Sequence, residues 1–243
     1  SITADEFSIS RPAVLRHINT LIDAQQIAVH GSTRDRRYEL VPTAKEIFTT
    51  EISPDVEEDQ IWLHIIRPAL VGLSDNVLHI CEYGLSEMVN NVIDHSEGSH
   101  MKITVTQYAT KLSFLVADDG IGIFNKIQRD FKLSDPRHAI LELAKGKLAT
   151  DPDRHSGEGI FFTSRIFDSF IIVSKGLYFS HQEPGDDWPL EHDRDVQGTS
   201  VIMSIDSKSN RSVQEVFDSF TSTDEDFGFT KTRVPLSLVT YGD

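Results

Sequence analysis

The sequence predicts an α+β protein in which helices pack on one face of a mixed or antiparallel sheet. Two β-rich runs, residues 100–109 and 111–120, are separated by a short turn and indicate an antiparallel strand pair. Helical patterns lie on both sides of this pair, at residues 85–98 and 136–147. Helices on one face of such a sheet describe a two-layer α/β sandwich.

The remaining elements are predicted from local patterns in chain order. Residues 42–54 indicate a short helix and a linker, and a new helical pattern starts within residues 56–73. Pro and Gly within residues 178–195 are typical of a long surface loop. Further downstream the patterns predict helices at 159–170 and 212–220 and strands at 170–175 and 199–206.

Composition limits the class of protein. With 39% hydrophobic and 25% charged residues among 243, the chain resembles an ordinary globular protein, and no apolar run approaches the roughly 20 residues of a membrane helix. No secretory or mitochondrial leader is visible. Cys81 is the single cysteine, which excludes a disulfide within the chain and a cysteine-rich zinc site. We therefore expect a cytoplasmic protein with no membrane partner.

Charge is distributed unevenly along the chain. The formal net charge is −15, which argues against nucleic-acid binding by the whole molecule. Residues 1–41 nevertheless hold five arginines against five acidic residues, so the deficit lies downstream. A neutral, arginine-containing N-terminal segment followed by an acidic remainder predicts two modules with different partners. We expect an N-terminal domain and linker at 1–50, a main domain at 51–222 and a strand-like extension at 223–243.

The N-terminal segment has the order helix, turn, helix and hairpin. Pro12 opens an apolar helical pattern, and residues 27–40 read as two extended runs around an arginine-rich tip. This order resembles a winged helix-turn-helix, which implies double-stranded DNA as a partner and places the helix from Ser10 to Ala24 in the major groove. The resemblance implies base or phosphate contacts from the helix and phosphate contacts from the wing, with the candidates Arg11, Arg16, His17, Arg34, Arg36 and Arg37.

This N-terminal resemblance has a departure and an alternative. The usual first helix of the module is absent; residues 2–7 could form only a short one. Winged helices also serve as dimerisation or protein-docking modules, so a protein partner is the alternative to DNA.

A polar row on an otherwise apolar helix is the first sign of a site. Glu87, Asn91 and His95 share one helix face, with Asn90 and Asp94 beside them. The alternative is an ordinary solvated face of an amphipathic helix.

Three glycine motifs accompany this helix. "DDGIG" at 118–122 follows an apolar strand, "SGEG" at 156–159 precedes a helical pattern, and "GTS" at 198–200 opens a strand. Glycines let backbone approach a ligand closely, and a helix start attracts phosphate. Each motif alone is also typical of an ordinary loop.

Together and in this order, "EMVNN", "DDGIG", "SGEG" and "GTS" resemble the four sequence boxes of the GHKL ATPases, the superfamily of gyrase-type ATPases, Hsp90, histidine kinases and MutL. The likeness covers roughly residues 55–207, and the helix box is closest to the histidine-kinase and anti-sigma branch. The resemblance implies the Bergerat-type ATP-binding fold with ATP and Mg²⁺ as cofactors.

The resemblance also assigns roles to single residues. Glu87 would orient or deprotonate the attacking water, Asn91 would bind Mg²⁺, and Asp118 would read the adenine amino group. Thr199 would neighbour Asp118, Gly120 and Gly122 would form the close-approach turn, and Gly157 and Gly159 the phosphate-side hinge. Residues 125–156 would form a mobile lid with the candidate phosphate contacts Lys145, Lys147, Arg154 and His155. A Walker lysine motif is missing, which disfavours a P-loop mechanism.

Two positions depart from the family pattern. Asp119 stands where an asparagine is usual, and its charge beside the pocket would weaken ATP binding or increase the demand for Mg²⁺. Phe161 and Phe162 stand in the third box where small residues are common.

The leading hypothesis is an ATP-binding, slowly hydrolysing regulatory protein that couples nucleotide state to DNA or partner binding. The alternative is an anti-sigma-type serine or histidine protein kinase; a third possibility is a structural module that keeps ATP for stability. His64 is a poor candidate phosphoacceptor because no acidic residue follows it. The extension at 223–243 would either pair with the sheet or lead into a further domain.

Overall fold

The N-terminal part of the structure, a computed structural model that describes residues 9–32, 35–145, 159–182 and 197–220, contains one helix and a hairpin. Ser10 caps helix α1 (Arg11–Asp23), since its hydroxyl accepts from Ala13 N at 3.4 Å. Strands β1 (Ile27–His30) and β2 (Arg37–Leu40) pair antiparallel. The predicted helix and hairpin are confirmed, and their assignment to a winged helix stays a prediction. The predicted helix at 2–7 lies outside the described residues.

Residues 44–51 correct the prediction of a short helix and linker. They form strand β3 (Ala44–Glu51), which pairs antiparallel with the strand that starts at His100. Ala, Lys and Glu at the start of this segment favour a helix, but eight residues of cross-strand pairing outweigh that preference. Because β3 belongs to the main sheet, we move the proposed domain boundary from residue 50 to a point before Ala44.

Two helical segments lead to the long helix of the predicted site. Helix α2 (Glu58–Ile61) passes through a π-helical turn (Trp62–Ile66) into helix α3 (Arg67–Ala69), with Trp62 and Ile66 buried. Helix α4 (Asp75–His95) follows and contains the predicted polar row. Both helical patterns predicted for this region are confirmed.

Within the described residues the main sheet has six strands, and every neighbouring pair runs antiparallel. Its order is β3-β4-β5-β8-β6-β7. The strands after β3 are β4 (His100–Gln107), β5 (Lys111–Asp118), β6 (Ser169–Ser174), β7 (Leu177–Gln182) and β8 (Ser200–Asp206). The predicted pairing of β4 with β5 is confirmed, with Met101 opposite Asp118 and Gln107 opposite Leu112.

Alternation along the strands defines the buried face of this sheet. On β5, for example, Leu112, Phe114 and Val116 are buried, and the residues between them are only partly covered. Helices α4, α7 (Gly159–Ile166) and α8 (Val213–Phe220) join the same core through aromatic contacts. The Phe162 and Phe217 rings stack at 4.0 Å, and Tyr83 meets Phe217 edge-on at 5.6 Å. The predicted α+β class, with helices packed on a six-stranded sheet, is therefore confirmed for the described residues.

Two further segments contain elements that were not predicted. The first residues of the predicted lid at 125–156 lie on helix α5 (Ile123–Asp130), which buries Phe124 and Ile127 in the core, and closure of the lid over ATP stays a prediction. Helix α6 (Arg137–Lys145) follows and matches a predicted helical pattern. The predicted surface loop at 178–195 starts as strand β7, because its first residues pair with β6. The remainder of both segments and the extension at 223–243 lie outside the described residues.

Candidate functional site

Helix α4 places the polar row against a buried apolar face. Leu85, Met88, Val89 and Val92 are buried, whereas Glu87, Asn91 and His95 are partly covered. The row is therefore not an ordinary solvated face. Glu87 reaches the start of α7, where a Cβ added to Gly159 would overlap its Oε2 and lie 2.9 Å from its Cδ. Two of the predicted site residues, from the first and third boxes, are thus in contact.

The second box, "DDGIG" at 118–122, packs against the end of α4. Ile121 N donates to the Ser96 carbonyl oxygen at 2.9 Å. Gly120 packs so closely against Ser96 that an added Cβ would overlap this carbonyl oxygen. Only glycine fits there without movement of the backbone. At a rise of 1.5 Å per residue, Asn91 lies about 6 Å along the axis from Glu87, between the contacts made by Glu87 and Ser96.

Asp118 ends strand β5 as a buried carboxylate with 9% of its surface exposed. Its Oδ1 accepts from Gly120 N at 2.8 Å and from Thr199 N at 3.3 Å. Burial raises the pKa of the Asp118 carboxyl, and the hydrogen bonds from Gly120 and Thr199 oppose that rise. Since both amides reach Oδ1, Oδ2 is the oxygen that a further donor could use.

Thr199 joins the fourth box to the second. Its carbonyl oxygen accepts from Asp118 N at 2.9 Å, and its hydroxyl accepts from Ile123 N at 2.9 Å. The hydroxyl also stabilises the ionised Asp118 side chain. This one residue therefore connects β8, the end of β5 and the first turn of α5.

Two supporting residues were absent from the predicted site. Gly198 has φ +75°, and an added Cβ would overlap the Asp118 carbonyl oxygen. Its own carbonyl accepts from Ser174 Oγ at 2.8 Å, and Ser174 also borders Gly122, which has φ +87°. The "GTS" motif signalled Gly198, whereas Ser174 carries no sequence signal because β6 brings it there by strand pairing.

Contacts therefore join the boxes in pairs, the first with the third through Glu87 and Gly159 and the second with the fourth through Asp118 and Thr199. Ser96, at the end of α4, contacts Gly120 of the second box. Over residues 53–177, about half of its length, the sequence matches a family described as histidine kinase-like ATPase domain. The chain belongs to this family. The fourth box lies beyond the matched residues and enters the site of this histidine kinase-like ATPase domain through the pairing of β8 with β5.

A curated protein resembles a shorter stretch of this chain. Fifty residues, 21% of the chain, are 36% identical to the sensor histidine kinase YvfT of Bacillus subtilis (strain 168). These residues span 13% of that kinase, so the chain is comparable with a small part of its length. ATP binding is supported by membership of the family.

The residues present fit an adenine nucleotide. Asp118 is a buried acceptor whose Oδ2 receives neither of the two backbone amides, which suits an amino group. Gly120 and Gly159 pack so closely against Ser96 and Glu87 that a side chain at either position would fill this space. Among the residues that the structure describes, no three His, Cys, Asp or Glu side chains cluster as a metal site. A cation at this site would therefore depend on isolated oxygen ligands and on phosphate.

Asp119 has hydrogen-bond partners that the sequence did not reveal. Its Oδ1 accepts from Ser99 N at 2.7 Å and from His100 N at 2.9 Å, and His100 Nδ1 lies 3.2 Å from Oδ2. These hydrogen bonds, first from His100 and then from Ser99, lower the pKa of the Asp119 carboxyl. Both of its oxygens thus have partners at the start of β4, so the carboxylate serves the loop there.

Ion pairs connect the end of α4 with α5. Glu97 follows the end of α4 with φ +56°, and its carboxylate binds Lys126 Nζ at 3.0 Å and the Arg129 guanidinium. These partners, first Arg129 and then Lys126, lower the pKa of Glu97 to about 2. Helix α5 is thereby fastened to the loop beside the nucleotide boxes.

Other predicted residues lie away from the four boxes or outside the residues that the structure describes. His64 is exposed on the π-helical turn. His181 lies on β7, and burial followed by Arg165 and Arg211 lowers its pKa to about 4. Outside the described residues lie Gly157, Arg34, Lys147, Arg154, His155 and His192, and the side chain of Lys145.

The predicted DNA-contacting residues of α1 are all exposed, as are Arg36 and Arg37 of the hairpin. Arg16 and His17 are five and six residues after Arg11, which are not the spacings of one helix face. In the described ranges none of the helices has the length and apolar character needed to cross a bilayer.

Proposed function

We propose that this chain is an ATP-binding, slowly hydrolysing regulatory protein whose nucleotide state controls binding of DNA by the N-terminal segment. The observation that supports it best is the buried Asp118 carboxylate, which joins the second and fourth boxes by accepting from Gly120 N and Thr199 N. Glu87, which shares helix α4 with Asn91, joins the first box to the third through Gly159. Membership of the histidine kinase-like ATPase family supports the nucleotide.

In this proposal Asp118 Oδ2 accepts a hydrogen bond from the adenine amino group, while Oδ1 stays bound to Gly120 N and Thr199 N. Asn91 would supply an amide oxygen to Mg²⁺, a cation that prefers oxygen ligands. Gly159 N, at the start of α7, faces the phosphates at the positive end of the helix dipole.

Bound MgATP would supply an electrophilic γ-phosphate, and Glu87 would orient a water toward it and accept its proton. The contact of Glu87 with Gly159 supports this role because it holds the carboxylate beside the phosphate end of α7. We expect slow hydrolysis, since no arginine finger is recognisable in the sequence.

Coupling to DNA is supported by the exposed arginines at one end of a chain whose net charge is −15. The spacing of Arg11, Arg16 and His17 around α1 favours phosphate contacts over base reading by all three side chains.

A titration of DNA with the full chain, with and without MgATP at one fixed salt concentration, tests the coupling. We expect the two affinities to differ by about 5-fold or more, the lower end of typical allosteric coupling. The control is Asp118→Asn, which should show the same DNA affinity in both conditions at a MgATP concentration that saturates the unmodified chain and leaves the variant largely unbound. Equal affinities for the unmodified chain, with ATP binding shown independently, would refute coupling.

A protein kinase of the histidine or anti-sigma serine type is the second candidate, favoured by the similarity to a sensor histidine kinase. Incubation with radiolabelled ATP and a cell lysate tests it, and labelled protein is the expected product. Absence of label on any protein, including the chain itself, would count against a kinase.

The third candidate is a structural module that ATP stabilises. The variant Glu87→Ala distinguishes it from an ATP-hydrolysing protein. A catalytic Glu87 predicts loss of ATP turnover with ATP binding retained. Turnover equal to that of the unmodified chain would exclude Glu87 as the base.

A further inference from the structure

One edge of the main sheet carries a strand with no neighbour in the described part of the chain. Strand β3 pairs with β4 on one side, and no described strand pairs with its other side. Most of its residues are exposed, including Ile47, of which 53% is accessible. The strand is eight residues long and contains neither Pro nor Gly, and Lys45, Glu46 and Glu51 are its charged residues.

The hydrogen-bond phase of β3 is fixed by its last residues. Ile52 N donates to Ser99 O at 2.9 Å, and Glu51 lies opposite His100. In an antiparallel ladder, bonded and non-bonded residues alternate, so the even-numbered residues of β3 bond to β4. The odd-numbered residues therefore direct their N–H and C=O groups toward the free edge, and these are Lys45, Ile47, Thr49 and Glu51.

The residue pattern of this edge is complementary to itself. If a two-fold axis perpendicular to the sheet passes at Phe48, antiparallel pairing places Lys45 opposite Glu51 of the second copy and Ile47 opposite Thr49. These odd-numbered pairs have the outward backbone groups, so they also form the hydrogen-bonded pairs of the new ladder. The two Phe48 residues then meet in a non-bonded pair, where side chains approach most closely.

Other registers lose this match. A slip of one residue would place inner-face residues opposite outer-face residues. A slip of two in one direction places Glu46 opposite Phe48 of the second copy, and in the other it places Glu51 opposite Ile47. Both remove the two symmetry-related Lys45–Glu51 pairs, so charge complementarity selects the register centred on Phe48.

We propose that two copies of this chain associate through β3 in that register and join their six-stranded sheets into one continuous antiparallel sheet. The partner is a second copy of the same chain, because its own edge supplies both the charge match and the backbone match. This proposal is independent of the nucleotide and DNA functions, since β3 contains none of their proposed residues.

Light scattering during size-exclusion chromatography of the full chain over a wide range of concentrations tests association. We expect a mass that approaches twice 27.3 kDa as concentration rises. Lys45→Glu and Glu51→Lys each create two like-charge pairs across the axis and should weaken dimerisation about tenfold. The double variant K45E/E51K restores opposite charges and should return the dissociation constant to that of the unmodified chain.

Two further variants separate this result from general effects of charge or unfolding. Lys102→Glu changes an exposed lysine on β4, inside the sheet, and should leave dimerisation unchanged. Ile47→Pro removes an outward N–H while sparing the ladder to β4 and should yield a monomer with a cooperative melting transition.

Three results would overturn the proposal. The first is a mass of 27.3 kDa at every concentration. The second is dimerisation of the single charge variants equal to that of the unmodified chain. The third is a double variant as weak as the single ones, because the register centred on Phe48 requires rescue.

Discussion

The long helix of the ATPase region and the N-terminal helix differ in what they bury. Helix α4 buries nine residues in the core, whereas α1 buries none. Within residues 9–32 and 35–43, not a single residue is buried. Leu15 of α1 remains 52% exposed, and Tyr38 and Leu40 of the hairpin are also exposed.

This difference in burial indicates that the two regions have different roles, one in folding stability and the other in binding a partner. Burial of apolar surface contributes roughly 25 cal/mol per Å², so the ATPase region holds most of the folding free energy of the described chain. The N-terminal helix and hairpin leave apolar and cationic side chains accessible to a partner. The following experiments test this division, in order of decreasing expected effect.

The largest contrast is expected between two leucine truncations. Leu85→Ala opens a cavity beneath α4, where the side chain is 2% exposed, and should lower the free energy of unfolding by about 2–5 kcal/mol. Leu15→Ala on α1 should change it by less than about 0.5 kcal/mol. Urea unfolding followed by circular dichroism measures both. Comparable losses would show that the N-terminal segment shares the core.

The second contrast lies between neighbouring carboxylates. Asp118→Asn should weaken ATP binding about 10- to 100-fold, because it removes a charge-assisted hydrogen bond to adenine while keeping an acceptor for Gly120 and Thr199. The matched control Asp119→Asn retains an acceptor for Ser99 and His100 and should bind ATP within about twofold of the unmodified chain. Calorimetry measures both affinities, and an equal effect of the two changes would remove Asp118 from the proposed role.

A loss of folding stability should not explain the weaker ATP binding of Asp118→Asn. Since burial raises the pKa of Asp118, its ionised form costs folding free energy at neutral pH, and this cost disappears as pH falls through the raised pKa. Asp118→Asn should therefore melt at the same or a higher temperature than the unmodified chain at neutral pH. A markedly lower melting temperature would indicate a structural role for the charge.

The third contrast concerns pH. Protonation converts the Asp118 acceptor to a neutral acid, so ATP affinity should fall as pH drops through a pKa above the ordinary aspartate value of 3.8. The Asp118→Asn variant supplies the baseline, because protonation of the nucleotide affects both proteins. The ratio of the ATP affinity of the unmodified chain to that of Asp118→Asn should approach one as the pH decreases. A constant ratio down to the onset of acid unfolding would contradict a role of the ionised Asp118 in ATP binding.

The smallest effects are expected in the N-terminal segment. Arg36→Ala and Arg37→Ala should each weaken DNA binding uniformly across sequences and reduce the salt dependence of the affinity by about 0.9 in log–log slope. The control Lys208→Ala removes an exposed cation from the ATPase region and should leave the slope unchanged. An unaltered slope in both arginine variants would argue that the hairpin does not contact phosphate.

Sequence patterns predicted the elements whose local preference agrees with their packing. Alternation in β4 and β5 and the helical spacing around Leu85 are examples, and the order of the glycine boxes indicated the family. Strand β3 was missed because Ala44, Lys45 and Glu46 favour a helix until β4 pairs with them. The partners of Asp119 could not be predicted either, because Ser99 and His100 approach it only after β4 and β5 pair.

Discrimination between purines is the most direct test of the central claim that the four boxes form an adenine nucleotide site around Asp118. Calorimetric titration of the full chain with MgATP should give one site, and MgGTP should bind at least about tenfold more weakly, because the guanine 6-carbonyl offers an acceptor where Asp118 needs a donor. Equal affinities, or the absence of heat with MgATP, would contradict the claim.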